Sequence, residues 1–560
     1  MSRRTKIFLI LLAAAVFVVY VLVALTGRIP KGSVLVLRVA GGIEEQAPTD
    51  LLSAWKSEQV LVYHDYTEAV EAATTDPRIA GLLVEIGGLE IGWGRVQELR
   101  SRLLEFRKTG KPSVCYLSGD FSSNRQYYLA SACEQVWLVP SSSLGVVGLM
   151  AEALFFRGTL DKLGVYPDMY HIGAYKTAKN QYTEKKFTPE HREMVESLIG
   201  SIYRQYVSDA AEARGMDRAQ FEKLVTAGPF LAQEALSRKL IDRAAYRDEI
   251  QDFFKEKTGR WNPIELSRYR NQIRSAGGER IAVVYATGAI LVGQSDYSPW
   301  LGFTMGSDSV AADLRRARED DSIKAVILRV ESPGGSAVGS EIIRREVQRL
   351  REKGKPIIVS MADVAGSGGY WISMSAEHIV AEPSTITASI GVVYGKMNIS
   401  GLFHLVGLST DYYATSPNAT LLWPQQNFTP AQREVIQRFM QDIYQNFVKG
   451  VADGRKMKPE AVDKIGRGRV WTGAQAKDLG LVDELGGLDR AIAVAKQRAG
   501  IPAGRKVRLV RLPERKSFWD VLVNDGLVRL DSARLAGEFL RRLESSEPVQ
   551  ARMPVLVRVR

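Results

Sequence analysis

The sequence predicts an α/β fold built twice in tandem behind one apolar N-terminal span, on three observations. β-branched runs alternate with amphipathic helical windows, as in residues 281–285, 310–318, 325–330, 342–353 and 357–361. That order implies βαβ crossovers and a mostly parallel sheet with helices outside. An earlier part of the chain has the same pattern, so that Gly110-Lys111-Pro112 recurs 244 positions later as Gly354-Lys355-Pro356. Ahead of both copies, residues 7–25 form an uncharged apolar run.

At ~1.5 Å per residue a helix over that run is about as long as a bilayer core is thick. Arg3, Arg4 and Lys6 precede it, which places the N-terminus in the cytoplasm and everything after Gly27 on the far side. A cleaved signal peptide would have a shorter apolar region, ~7 to 15 residues, and a small-x-small site. Ala24-Leu25-Thr26 lacks such a site, so an uncleaved anchor is expected, with residues 1–27 as cytoplasmic tip and span.

The remaining 28–560 divide into a first repeat (28–257), a linker rich in Arg, Asn, Ser and Gly (258–278), a second repeat (279–500) and a basic tail (501–560). Arg78-Ile79-Ala80-Gly81-Leu82-Leu83 answers Ser322-Ile323-Lys324-Ala325-Val326-Ile327, and Phe187-Thr188-Pro189 answers Phe428-Thr429-Pro430. In the latter pair Thr is an N-cap and Pro the first helical residue of a long helix. The net charge of +12 is scattered over amphipathic segments, with neither zinc-finger spacing nor interleaved aromatics, so no nucleic acid is expected. Cys115 and Cys133, on a predicted strand and a predicted helix, are too few for a disulfide framework. They are expected as buried free thiols, with pairing left open. No metal cluster, dinucleotide fingerprint or P-loop is present, and no cofactor or metal is implied.

The chemistry centres on Ala365-Gly366-Ser367-Gly368-Gly369-Tyr370-Trp371. It reads as strand, tight turn and helix, a geometry that presents the Ser367 hydroxyl at a helix N-terminus. The orphan N–H groups of that first turn, Gly368 among them, can stabilise an oxyanion. Serine is also a favoured cap, so the turn alone leaves two readings open. Gly334 and Gly335, in Ser332-Pro333-Gly334-Gly335-Ser336 at a strand's carboxyl end, can supply the other half of an oxyanion hole, or form a plain Pro-Gly turn.

The first repeat lacks both features: it has Ser122-Ser123-Asn124-Arg125-Gln126 at the serine turn and Gly87-Gly88-Leu89-Glu90-Ile91 at the glycine turn. No histidine is well placed as a base. His378 is 11 residues beyond Ser367 on the same predicted helix, ~16 Å along its axis. His64 and His191 start helices, His404 lies in an apolar window, and His171 alone is near a strand end. Lysine can activate serine if burial keeps it neutral. The first repeat has Gly173-Ala174-Tyr175-Lys176-Thr177-Ala178-Lys179, where the second reads Ala414-Thr415-Ser416-Pro417. Each repeat thus keeps one of the two groups and lacks the other. Against this, Lys176 can be read with Lys179, Lys185 and Lys186 as a solvated loop charge.

With these motifs in place, together with Thr387-Ala388-Ser389-Ile390-Gly391, the chain resembles the long, duplicated form of the signal peptide peptidase A family over nearly its whole length. The resemblance implies a crotonase- and Clp protease-like spiral of βαβ units in each repeat. It also implies a membrane-anchored Ser/Lys endopeptidase with Ser367 as nucleophile, Lys176 as general base and Ser389 holding the lysine amine. Implied substrates are extended apolar peptides, the remnant signal peptides left after secretion. The implied setting is a bacterial inner membrane, with the lipid bilayer contacted through residues 7–25 and the repeats on the outer side, in a homo-oligomer, a tetramer. Residues 299–303 (Pro-Trp-Leu-Gly-Phe) are a candidate apolar rim for the entrance, or core. Two rival readings are a crotonase-like acyl-CoA enzyme and a non-catalytic membrane scaffold. Neither accounts for the complementary retention of serine and lysine.

Overall fold

The computed structural model describes residues 29–47, 61–273, 277–298, 302–514, 549–552 and 558–559. The expected anchor, Pro299, Trp300, Leu301 and most of the tail lie outside these. Among the described residues no helix is long and apolar enough to cross a membrane.

Each repeat contains a parallel sheet. In the first, β1 (Ser33–Gly41), β2 (Ile79–Leu89), β3 (Ser113–Leu117), β4 (Gln135–Leu138), β5 (Arg243–Ala244) and β6 (Pro263–Glu265) lie in the order β5-β4-β3-β2-β1-β6. In the second, β7 (Glu279–Thr287), β8 (Ile323–Ser332), β9 (Ile357–Gly366), β10 (His378–Ala381), β11 (Glu484–Leu485) and β12 (Val507–Leu512) repeat that order as β11-β10-β9-β8-β7-β12. Parallel strands covered on both faces need continuous apolar runs, and Val34, Leu35, Val36 and Leu37, like Val326, Ile327 and Leu328, are buried. The carboxyl half of β9 turns from β10 to a second neighbour, Ile386–Ala388, which pairs with Val364, Ala365 and Gly366.

The long helices Pro189–Ala213 and Pro430–Arg455 start as expected: Thr188 accepts from the His191 N–H and Thr429 from the Gln432 N–H, each with proline in the first turn. The 258–278 segment, expected as a linker, carries β6 and the helix Leu266–Ile273. β12 in the early tail is its counterpart, so each repeat closes with a strand laid parallel to its own first strand. Phe303 is buried and packs on Tyr297 with ring centroids 4.7 Å apart, so this part of the expected rim is core. The cysteines differ from expectation as well. β3 and the turn that ends the helix Asn124–Ala130 bring their Cα atoms to 5.7 Å, and Cys115 is disulfide-bonded to Cys133.

Several contacts join the repeats, among them a strand pair and a buried ion cluster. The strand Tyr166–Ile172 of the first pairs antiparallel with Val392–Asn398 of the second, in continuous register from Ile172↔Val392 to Tyr166↔Asn398. Buried Arg329 of the second donates to Glu45 and Glu98 of the first and to Ser360. Arg329→Met strands two buried carboxylates, which is expected to cost about 3–5 kcal/mol. Urea unfolding of the variant beside the parent checks this.

Candidate active site

Ser367 stands between β9 and the buried helix Gly368–Ser373, with φ 55° and ψ −113°, outside the regions open to ordinary L-residues. Ala388 and Ser389 also have positive φ, 68° and 60°. The three belong to one strained crossing, in which the Ser367 N–H donates to Ala388 O at 2.6 Å and the Ser389 N–H to Arg469 O at 2.9 Å. Strain of this kind persists where surrounding structure over-determines it, and here the sheet fork and the loop 466–469 do so. The equivalent turn of the first repeat is a plain helix start: Ser123 caps Asn124–Ala130 in a reciprocal box with Gln126.

Lys176 follows the strand Tyr166–Ile172 and reaches across the repeat boundary. Its Nζ lies 2.8 Å from Ser367 Oγ, 3.0 Å from Ser389 Oγ and 2.8 Å from Ser389 O. Lys176, Ser367 and Ser389 are all 0% exposed. Burial pushes the amine well below its ordinary pKa, with no carboxylate among the described residues opposing it. Burial favours the neutral amine, whose two N–H groups and one lone pair match three oxygen partners. Lys179, by contrast, reaches only Thr183 Oγ1, at 3.5 Å.

Ser332 Oγ accepts from the Gly334 N–H at 3.2 Å, so Gly334 is occupied within its own turn. Gly335 has φ 156°, and a Cβ there would lie 2.1 Å from Ile290 O. A Cβ on Gly368 would meet Gly335 N at 3.1 Å. Gly335 and Gly368 therefore lie against each other beside Ser367.

Among the described residues no hydrogen bond joins a histidine to Ser367. His171 Nδ1 faces Gly173 O at 3.0 Å, His191 packs on Phe187 with centroids 4.6 Å apart, and His378 sits 3.4 Å from Glu484. Sequence reasoning missed Gly468. It has φ 83°, and a Cβ there would lie 2.4–2.5 Å from Lys176 N, Cα and Cβ. The surrounding Arg467-Gly468-Arg469 is a turn signal, but nothing local points to the other repeat. Gly468→Ala is expected to displace Lys176 and lower kcat by about 100-fold, with the disulfide and both sheets intact by circular dichroism and mass spectrometry.

Comparison with known proteins agrees with the duplicated fold. A model of peptidase family S49 matches twice, over residues 105–259 and 349–502. The chain is 34% identical to "Serine protease SPPA, chloroplastic" of Arabidopsis thaliana over 94% of its own length and 78% of the relative's. It is 34% identical to "Protease 4" of Salmonella typhi, over 78% of this chain and 72% of that one. For "Protease 4" of Haemophilus influenzae the identity is 33%, over 80% and 75%. Two matched segments in register with two repeats, and relatives matched over most of their length, place the chain in peptidase family S49 as a serine protease.

Proposed function

We propose that Ser367 is the nucleophile and Lys176 the general base of an endopeptidase that degrades remnant signal peptides. The observation that carries the assignment is the 2.8 Å approach of Nζ to Ser367 Oγ in a buried pocket that holds no carboxylate among the described residues. The neutral amine takes the hydroxyl proton as Oγ attacks the scissile carbonyl, and Ser389 supplies the acceptors that orient it. Backbone N–H groups of Gly335 and Gly368 receive the oxyanion, whereas Gly334 shapes the turn. The ammonium then protonates the leaving amine, and a water, activated by the same lysine, hydrolyses the acyl-enzyme.

The substrate pose has its own support. Residues Val549–Arg552 of the tail lie as a strand between Gly334–Ser336 and Val392–Asn398, antiparallel to both, with Ala551 opposite Gly335 and Gln550 opposite Val393. The gap beside Ser367 is thus one strand wide and takes a peptide by main-chain pairing, which selects unfolded chains over folded ones. The crotonase-type spiral, the anchor over residues 7–25 in a bacterial inner membrane with the repeats on the outer face, and a tetrameric assembly belong to the same reading. They rest on the resemblance and on the charge pattern at the N-terminus.

Ser367→Ala and Lys176→Ala are each expected to abolish peptide hydrolysis in a folded protein, while Lys179→Ala keeps most of it. A fluorophosphonate probe mapped by peptide sequencing should label Ser367. The base must be deprotonated, so activity rises with pH through the lowered lysine pKa. The unfolded chain binds a proton at this lysine that the folded chain does not, so stability falls as pH drops below ~10.5. In Lys176→Met that part of the slope should vanish from a pH series of melting curves. A chain ending at Glu514 lacks the strand that fills the gap, and its KM for a short apolar peptide should fall with kcat unchanged.

A further inference from the structure

Behind Ser367 stand two carboxylates that the chemistry above does not use. β8 and β9 pair as Val330↔Met361 and next as Ser332↔Ala365, so Glu331 alone faces residues 362–364. This is a bulge just upstream of the serine, at the place where β9 changes neighbours. A bulge strips backbone groups of their ladder partners, and here side chains replace them. Glu331 Oε2 accepts from the Asp363 N–H at 2.7 Å and the Val364 N–H at 3.3 Å, and Thr385 Oγ1 donates to Ala362 O at 2.6 Å.

The Asp363 side chain turns the other way, into the first repeat. It accepts from the N–H groups of Gly92 at 2.8 Å and Arg95 at 2.7 Å, and from the Arg95 guanidinium, which also donates to Ile43 O. These amides open the helix Trp93–Arg107, whose N-cap is Gly92 and which has no side-chain cap of its own. Asp363 therefore supplies, from the other repeat, the anion that a helix N-terminus favours. The approach is close: a Cβ on Gly92 would lie 2.4 Å from Asp363 Cγ, and one on Gly94 2.8 Å from Ala362 O.

Burial opposes the Asp363 charge, but Arg95 and the helix amides outweigh it and hold the carboxyl below its ordinary value. Burial, and then the Asp363 charge, push Glu331 up, which makes glutamine its neutral isostere. In the first repeat Gly87 stands at the Glu331 position, whereas the pairing of Phe121 with Ser143, which answers Val364 with Ile386, puts the exposed Asp120 at the Asp363 position. The glutamate that seats the bulge accompanies the serine, and the repeat without it leaves its aspartate exposed.

We propose that Asp363, seated by Glu331, is a positioning residue for the peptidase reaction: it locks the bulge of the second repeat onto the first helical turn of the first, and so fixes where Ser367 stands relative to Lys176. The proposal rests on the Ser367–Lys176 reading. Asp363→Asn keeps the shape and loses the charge, whereas Gly92→Ala keeps every carboxylate and pushes Asp363 away. Both are expected to lower kcat by about 10- to 100-fold, with KM unchanged and fluorophosphonate labelling of Ser367 slowed in parallel, well below the melting temperature. Glu331→Gln should retain near-parental kcat, because it still accepts both N–H groups, while Glu331→Ala should not. The proposal is overturned if folded Gly92→Ala and Asp363→Asn keep the parental kcat and labelling rate, if only KM changes, or if only the melting temperature drops. Should either variant fail to fold, the other and the Glu331 pair decide. Ser367→Ala is the control: hydrolysis surviving there would refute the nucleophile assignment, whereas its loss beside an unchanged Asp363→Asn would refute the clamp alone.

Discussion

A lysine amine sealed from water, with no carboxylate beside it among the described residues, is the constraint on which this architecture turns. An ammonium buried alone costs several kcal/mol, far more than a neutral amine that finds two acceptors and one donor. The Lys176 pocket meets that condition with Ser367 and Ser389, but the lysine belongs to one repeat and both serines to the other. The pocket therefore exists only when the repeats are docked. The antiparallel strand pair, the Arg329 cluster and the Gly468 contact hold the same joint from different sides.

Strain is concentrated at the same place. Ser367, Ala388 and Ser389 are three of the described non-glycine residues with positive φ, a conformation that costs roughly 1–2 kcal/mol per residue. Each lies at the end of a strand anchored in the second sheet, and Ala388 and Ser367 are bonded to each other through the backbone. The rigid sheet carries the cost, and the hydroxyl is already aimed before a peptide arrives.

Much of the fold could be read from the sequence because duplication supplied its own reference. The alternation of β-branched and amphipathic windows corresponds to the β7–β9 segment, and the Thr-Pro pair opens both long helices, but His378, expected on the helix after Ser367, instead opens β10 because that helix ends at Ser373. The complementary loss of serine turn and lysine pointed to the two groups that the structure brings together. What was not legible depends on contacts between distant residues. β6 is three residues long and begins with proline, so it carries no strand pattern of its own. The cysteine pair, the Gly468 contact and the bulge at 362–364 are set by tertiary approach, and no local periodicity reports them.

The pairing of Tyr166–Ile172 with Val392–Asn398 has a consequence for how this protease can be regulated. Strands slide in whole-residue steps of ~3.3 Å, and a one-residue slip also reverses which face each side chain occupies. Lys176 lies four residues beyond one strand and Ser389 three residues ahead of the other, so a single step would take the amine out of reach of both hydroxyls. On the proposed pairing of Lys176 with Ser367 the joint is a ratchet with one productive notch, so that slippage of these strands switches the site off rather than trimming its rate by degrees.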